Sequence, residues 1–185
     1  IEFSEGKMNV HTGSTLPYPV LANCSYETSL DYKMKKESGN NESFSTWTEN
    51  SSGRFKTAAD LIGSYSPDKG RIVDYGFSVL QKVAQGDATQ WSIIYDITDM
   101  KIYFRTHATP EIRSLNFNGF NYTCNGEALR LDINSSPTSL FLPADYSGSY
   151  KLISDVCNNV EFLKGMPEEA RIATAQFGLD IKCEN

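Results

Sequence analysis

Histidine is scarce in this sequence: only His11 and His107 occur among 185 residues. Neither stands in an H-E-x-x-H pattern or beside a cysteine pair of zinc-site spacing, so no set of metal ligands is offered. Cysteine is sparse too. Cys24, Cys124, Cys157 and Cys183 make no C-x-x-C and are too few for a disulfide scaffold; they read as buried thiols, and if any pair is bridged it is Cys157 with Cys183. No apolar run approaches the roughly 20 residues of a membrane-spanning helix, so a soluble chain without a membrane partner is expected. A P-loop, a G-x-S-x-G elbow and a dinucleotide fingerprint are all missing, which removes ordinary nucleotide chemistry and leaves no cofactor implied. A concentrated basic patch is missing as well. The net charge is −6, and Lys33, Lys35 and Lys36 form the only basic knot, read as a solvated helix face, so nucleic acid is not an expected partner.

What is present is globular in balance: 39% apolar residues against 22% charged is enough to bury a core, and one domain over 1–185 is expected. The chain opens in mid-pattern at Ile1-Glu2-Phe3 with no initiator methionine, and is read as cut. Five N-x-S/T acceptors, Asn23, Asn41, Asn50, Asn121 and Asn134, lean towards an exported protein.

Along the chain, Ile1 to Phe3 and Met8 to His11 read as short strands about a Glu5-Gly6 turn, and Leu16 to Leu21 as an edge or connecting strand, because Pro17 and Pro19 cannot donate ladder hydrogen bonds. Tyr26 to Lys36 reads as a helix on the spacing of Leu30 and Met34, and Glu37 to Gly53, rich in Asn, Ser and Thr, as loop. Arg54 to Ile62 predicts a helix burying Phe55, Ala58, Ala59 and Ile62. A second follows Ser66-Pro67-Asp68, with Ile72, Val73, Leu80 and Val83 on one face and Gly86 past its end. The stretch Thr89 to Thr106 reads as a hairpin with apolar residues on both faces, Trp91, Ile93, Tyr95 and Ile97 against Ile94, which predicts cover on both sides. Strands at Ile112 to Phe117 and Leu129 to Ile133 follow, then helices at Tyr150 to Phe162 and Pro167 to Gln176. Asp96 and Asp99 bracket the hairpin turn and are assigned to local backbone hydrogen bonding. A sheet flanked by helices, with its other side also apolar, suggests a second stacked sheet; its missing strands are expected in sequence before Ile1.

Three segments in order carry a family likeness. "IEFSEGKMNVHTGSTLPYPVLANCSYETSL", "SSGRFKTAADLI" and "TQWSIIYDITDMKIYFRTHATPEIRSLNF" resemble the strand-turn-strand, the S-x-R-F-x-R-A helix start and the T-Q-W-T-x-V-Y-D hairpin of the choloylglycine hydrolase and penicillin V acylase family. The resemblance covers about 1–117; the tail 137–185 is unassigned. It implies an α+β class of αββα four-layer Ntn-hydrolase sandwich, here its C-terminal portion. It also implies hydrolysis of a non-peptide linear amide of the conjugated bile acid, penicillin V or N-acyl amide type. The nucleophile would be an N-terminal cysteine absent from this chain, so the expected partners are a small amide substrate and the N-terminal portion of the same enzyme, with a homo-oligomer possible. Two family positions match: Asn23 in "LANCSY" as an oxyanion-hole donor and Arg54 in "SSGRFK" as the fixed charge beside the thiolate. Asn23 read instead as a glycan acceptor, and Arg54 as an exposed arginine at a helix start, remain alternatives. The sequence departs from the family at Cys24-Ser25-Tyr26 and in the length of the serine-rich loop before Arg54, which puts substrate preference in doubt. A non-catalytic binding or structural protein that kept the fold, and an unrelated secreted β-rich adhesion domain with Asn23 and Arg54 far apart, are the competing readings.

Overall fold

Two short strands open the chain in the computed structural model, which describes residues 1–4, 6–40, 42–123, 128–135, 141–161 and 163–180. β1 (Glu2–Ser4) pairs antiparallel with β2 (Lys7–Asn9), Phe3 opposite Met8, and Gly6 at φ 72° supplies the left-handed turn residue that a side chain would resist. The chain forms two compact units, 1–95 and 96–185.

In the first unit a 3-10 turn at Gly13–Thr15 leads into a connection that joins no ladder. The expected strand at Leu16 to Leu21 is thus corrected, and the reason is local. Pro17 and Pro19 have no N–H, while the Tyr26 hydroxyl accepts from the Tyr18 N–H (3.1 Å) and donates to the Tyr18 carbonyl (3.0 Å), so Tyr18 has nothing left for a neighbouring strand. α1 (Tyr26–Glu37) starts where the Ser25 hydroxyl accepts from the Thr28 N–H, and Glu2 adds a carboxylate oxygen 2.9 Å from the Tyr26 N–H. Its buried stripe is Tyr26, Ser29, Tyr32 and Lys33; Met34, expected inside, stands in water, and Leu30 is half-buried.

α2 (Thr46–Gly63) begins well inside the segment expected to be loop. Ser45 caps it, accepting from the Thr48 N–H at 3.2 Å, and its Ser51, Ser52, Phe55, Ala58 and Ala59 are buried. Weak helix formers are carried here by tertiary packing: small side chains let α1 and α2 approach closely. Phe55, fully buried, is the centre of a core with Val20, Tyr26, Ala58, Ala59 and Val79, and meets the Tyr26 ring edge-on at 5.6 Å. Ile62, expected in that core, is exposed.

Lys33 corrects the reading of its cluster as solvated. It is 2% exposed, its ammonium bonded to both Glu37 and Asp60 and lying 4.8 Å from the Tyr18 ring centre. The missed signal is the distant partner, which no local spacing reveals.

α3 (Ile72–Lys82) starts later than expected, because Pro67 begins a separate 3-10 turn closed by Gly70 at φ 99°. Of the expected face, Ile72 stands in solvent, Val73 is buried and Leu80 and Val83 are half-buried, while Phe77 and Val79 are buried as well. Gly86 belongs to a further 3-10 turn at Gly86–Ala88 rather than to the end of α3. At Gly76 the helix approaches Ile94 so closely that an added Cβ would lie 2.7 Å from its Cδ1.

β3 (Trp91–Asp96), β4 (Lys101–Thr106) and β5 (Arg113–Asn116) form one sheet in that order. β4 and β5 are antiparallel, with Ile102 opposite Leu115 and Phe104 opposite Arg113. Of the side chains expected under cover, Trp91 and Tyr95 are each 58% exposed and Ile97 84%, while Ile93 and Ile94 are half-buried. Alternation places Ile94 on the side that meets α3 and Trp91, Ile93 and Tyr95 on the other.

In the second unit Phe104 is buried under the Arg113 guanidinium, 4.8 Å from the ring centre. β6 (Leu129–Leu131) pairs with β7 (Phe141–Pro143), which the sequence reading missed. α4 (Tyr146–Asn159), capped by Asp145 through the Gly148 N–H, packs against α5 (Glu168–Asp180), burying Cys157 and Ala175. Cys157 is a free thiol; Cys183, its expected partner, lies outside the described residues, as do Cys124 and Asn41. The protein is thus mixed α+β, with helices and small antiparallel sheets.

Candidate functional site

The segment 21–25 joins the proline-containing connection to α1, and its backbone is fastened to α2. The Cys24 N–H donates to the Ser51 hydroxyl at 2.7 Å, and Ser51 is itself buried. This bond fixes the backbone beside Asn23, whose side chain is exposed.

Arg54 comes to the same place from α2. One helical turn separates it from Asn50, so the two share a face. Its Nε donates to Asn50 Oδ1 at 3.3 Å, and its Nη2 reaches Asn23 Oδ1 at 3.5 Å across 31 positions of sequence. Gln85, just beyond α3, donates from Nε2 to the same Asn50 Oδ1 at 3.2 Å. The result is one positive charge, two carboxamide oxygens turned towards it, and a primary amide bracing the arrangement from the segment after α3. Asn23, Asn50 and Gln85 are exposed and Arg54 is half-buried, so the cluster opens to solvent.

Both sequence-predicted residues, Asn23 and Arg54, are therefore neighbours. Arg54 lies well inside α2, which starts at Thr46, so the alternative reading of it as an arginine at a helix start is corrected. Asn50, Ser51 and Gln85 were not singled out as site residues. The legible signal for the first two was Ser45 with the N-x-x-x-R spacing, which becomes a shared face only once 46–53 is read as helix.

No family model matches the chain, and no curated protein or solved structure matches it either. The cluster itself is what bears on function.

Ser51 and Arg54 belong to a helix whose C-terminal half carries a second charged group. Burial works against the Lys33 ammonium, but its hydrogen bonds to Asp60 and Glu37 hold it above the ordinary lysine range. Burial likewise opposes the Asp60 carboxylate, and hydrogen bonds from Lys33 and Lys56 hold it below the usual carboxylate range. These groups clamp α1 to α2 and so hold the frame on which Arg54 stands.

Asp96 does what a turn residue does: its Oδ1 accepts from the Thr98 and Asp99 N–H groups at 3.1 and 3.0 Å. Asn121 is exposed, its Oδ1 accepting from the Thr123 N–H. Among the described residues no group of three or more His, Cys, Asp or Glu could hold a metal ion, and no helix is long and apolar enough to cross a membrane.

Proposed function

We propose that this chain is the C-terminal portion of a cysteine Ntn-hydrolase of the choloylglycine hydrolase and penicillin V acylase type, with the αββα sandwich of that class, which hydrolyses a non-peptide linear amide. The observation that carries the reading is the meeting of the Arg54 guanidinium with the Asn23 carboxamide, residues singled out independently by the family likeness. The exposed Trp91 and Tyr95 support it too, because a strand face of that composition suits a second sheet laid over it.

In this reaction an N-terminal cysteine, supplied by the partner portion of the same enzyme, attacks the amide carbonyl carbon while its own α-amine takes the thiol proton. The carbonyl π electrons move to oxygen, and the Asn23 Nδ2–H group stabilises that oxyanion. The α-ammonium returns its proton to the departing nitrogen as the C–N bond breaks. Water then attacks the thioester carbonyl and releases the acid and the thiol. Arg54 contributes a positive charge that favours the thiolate. The present openness of the cluster matters, because such donors act strongly only where water is excluded. The same partner layer that brings the cysteine would close the site.

Expression of the intact gene product and assay of amine release from N-acyl amides of the penicillin V and bile acid type tests the reading. The 185-residue chain alone is expected to be inactive and the cysteine-bearing enzyme active, with Asn23→Ala lowering kcat by about 10²–10³. Turnover by the isolated chain would overturn the nucleophile assignment. An intact enzyme that binds such amides without cleaving them would favour a binding protein.

A further inference from the structure

Resting on the amidase reading, we propose that Asn50 is a positioning residue: it sets, through Arg54, which end of the Asn23 carboxamide faces the reacting atoms. A guanidinium carries only donors, so the end of Asn23 turned towards Arg54 must be its oxygen. Nδ2, the end an oxyanion needs, is then the end turned away. Without that constraint a carboxamide can present either end, and an oxygen facing an oxyanion would repel it.

Arg54 can hold Asn23 this way only while its own plane is fixed, and α2 supplies the fixing. Asn50 Oδ1 receives the Arg54 Nε at 3.3 Å, and the same oxygen receives Gln85 Nε2 at 3.2 Å. An sp² oxygen has two lone pairs, and these two donors account for both. Gln85 therefore keeps the Asn50 carboxamide from rotating, Asn50 orients Arg54, and Arg54 orients Asn23. The Ser51 bond to the Cys24 N–H holds the backbone end of Asn23 at the same time, so backbone and side chain are both tied to the first half of α2.

Side-chain NMR of the ¹⁵N-labelled 185-residue chain tests this without any turnover, so its outcome is separate from that of the amidase assay. In Asn50→Ala the Arg54 Nε–H and both Asn23 Nδ2–H signals are expected to shift, while the Asn23 backbone amide, tied through Cys24, stays in place. Asn50→Asp, which keeps an acceptor at that position, is expected to return the Asn23 Nδ2–H signals towards their wild-type positions. Because Asn50 is exposed and alanine favours helix, the fold survives the change. Asn23 Nδ2–H signals that stay put in Asn50→Ala, or that move equally in Asn50→Asp, would overturn the proposal. In the active enzyme the same variant is expected to lower kcat with KM little changed.

Discussion

Phe55 touches the aromatic edge of Tyr26 and lies against Val20, Ala58, Ala59 and Val79, so its removal opens a hole that helical neighbours cannot fill. Phe55→Ala is expected to cost about 3–5 kcal/mol in a urea unfolding experiment. Lys33 and Asp60 give the same unit a pH-dependent contribution to stability. The Asp60 carboxyl is held below its ordinary 3.8, so its contribution is present above that value and is lost as the pH falls through the lowered one. The Lys33 ammonium is held above 10.5, so its contribution is complete below that value and is lost as the pH rises through the raised one. The urea midpoint is therefore expected to decline at both extremes, and Asp60→Asn to flatten the acid decline. An acid limb unchanged in that variant would assign the decline to other carboxylates.

Among the elements, α2 is the one whose start was hidden. Its first turns, Thr46 to Gly53, are written in Trp, Thr, Glu, Asn, Ser and Gly, and their polarity reads as loop; only the Ser45 cap marked the start. Ser45→Ala is expected to cost about 0.5–2 kcal/mol, read from the loss of helical signal on heating. Where periodicity was strong, the elements were legible: the β3 and β4 hairpin, β5, α1 and the buried Phe55, Ala58 and Ala59 all occur where the pattern put them. Where a side chain's fate depends on a distant partner, the pattern had no hold. Lys33 is buried because Asp60 waits on another helix, and Leu16 to Leu21 is no strand because one tyrosine hydroxyl occupies Tyr18. In the candidate site, Asn23 and Arg54 were singled out by a family likeness, whereas Asn50, Ser51 and Gln85 become relevant only through contacts between segments.

For the molecule as a whole, the exposed Trp91, Tyr95 and Ile97 are expected to influence behaviour in solution. A chain of net charge −6 repels its copies, and added salt screens that repulsion while leaving the apolar attraction of Trp91, Tyr95 and Ile97 intact. Self-association is therefore expected to rise with ionic strength and to fall in the double variant Trp91→Lys, Ile97→Lys, measured by light scattering; equal scattering by the two proteins would place the contact elsewhere. The same exposure has an optical consequence. Both tryptophans, Trp47 and Trp91, are more than half exposed, so the emission of the native chain is expected at long wavelength, with little change of colour on denaturation. A blue shift on mixing with another polypeptide, lost in Trp91→Phe, would then report directly that the strand has been roofed.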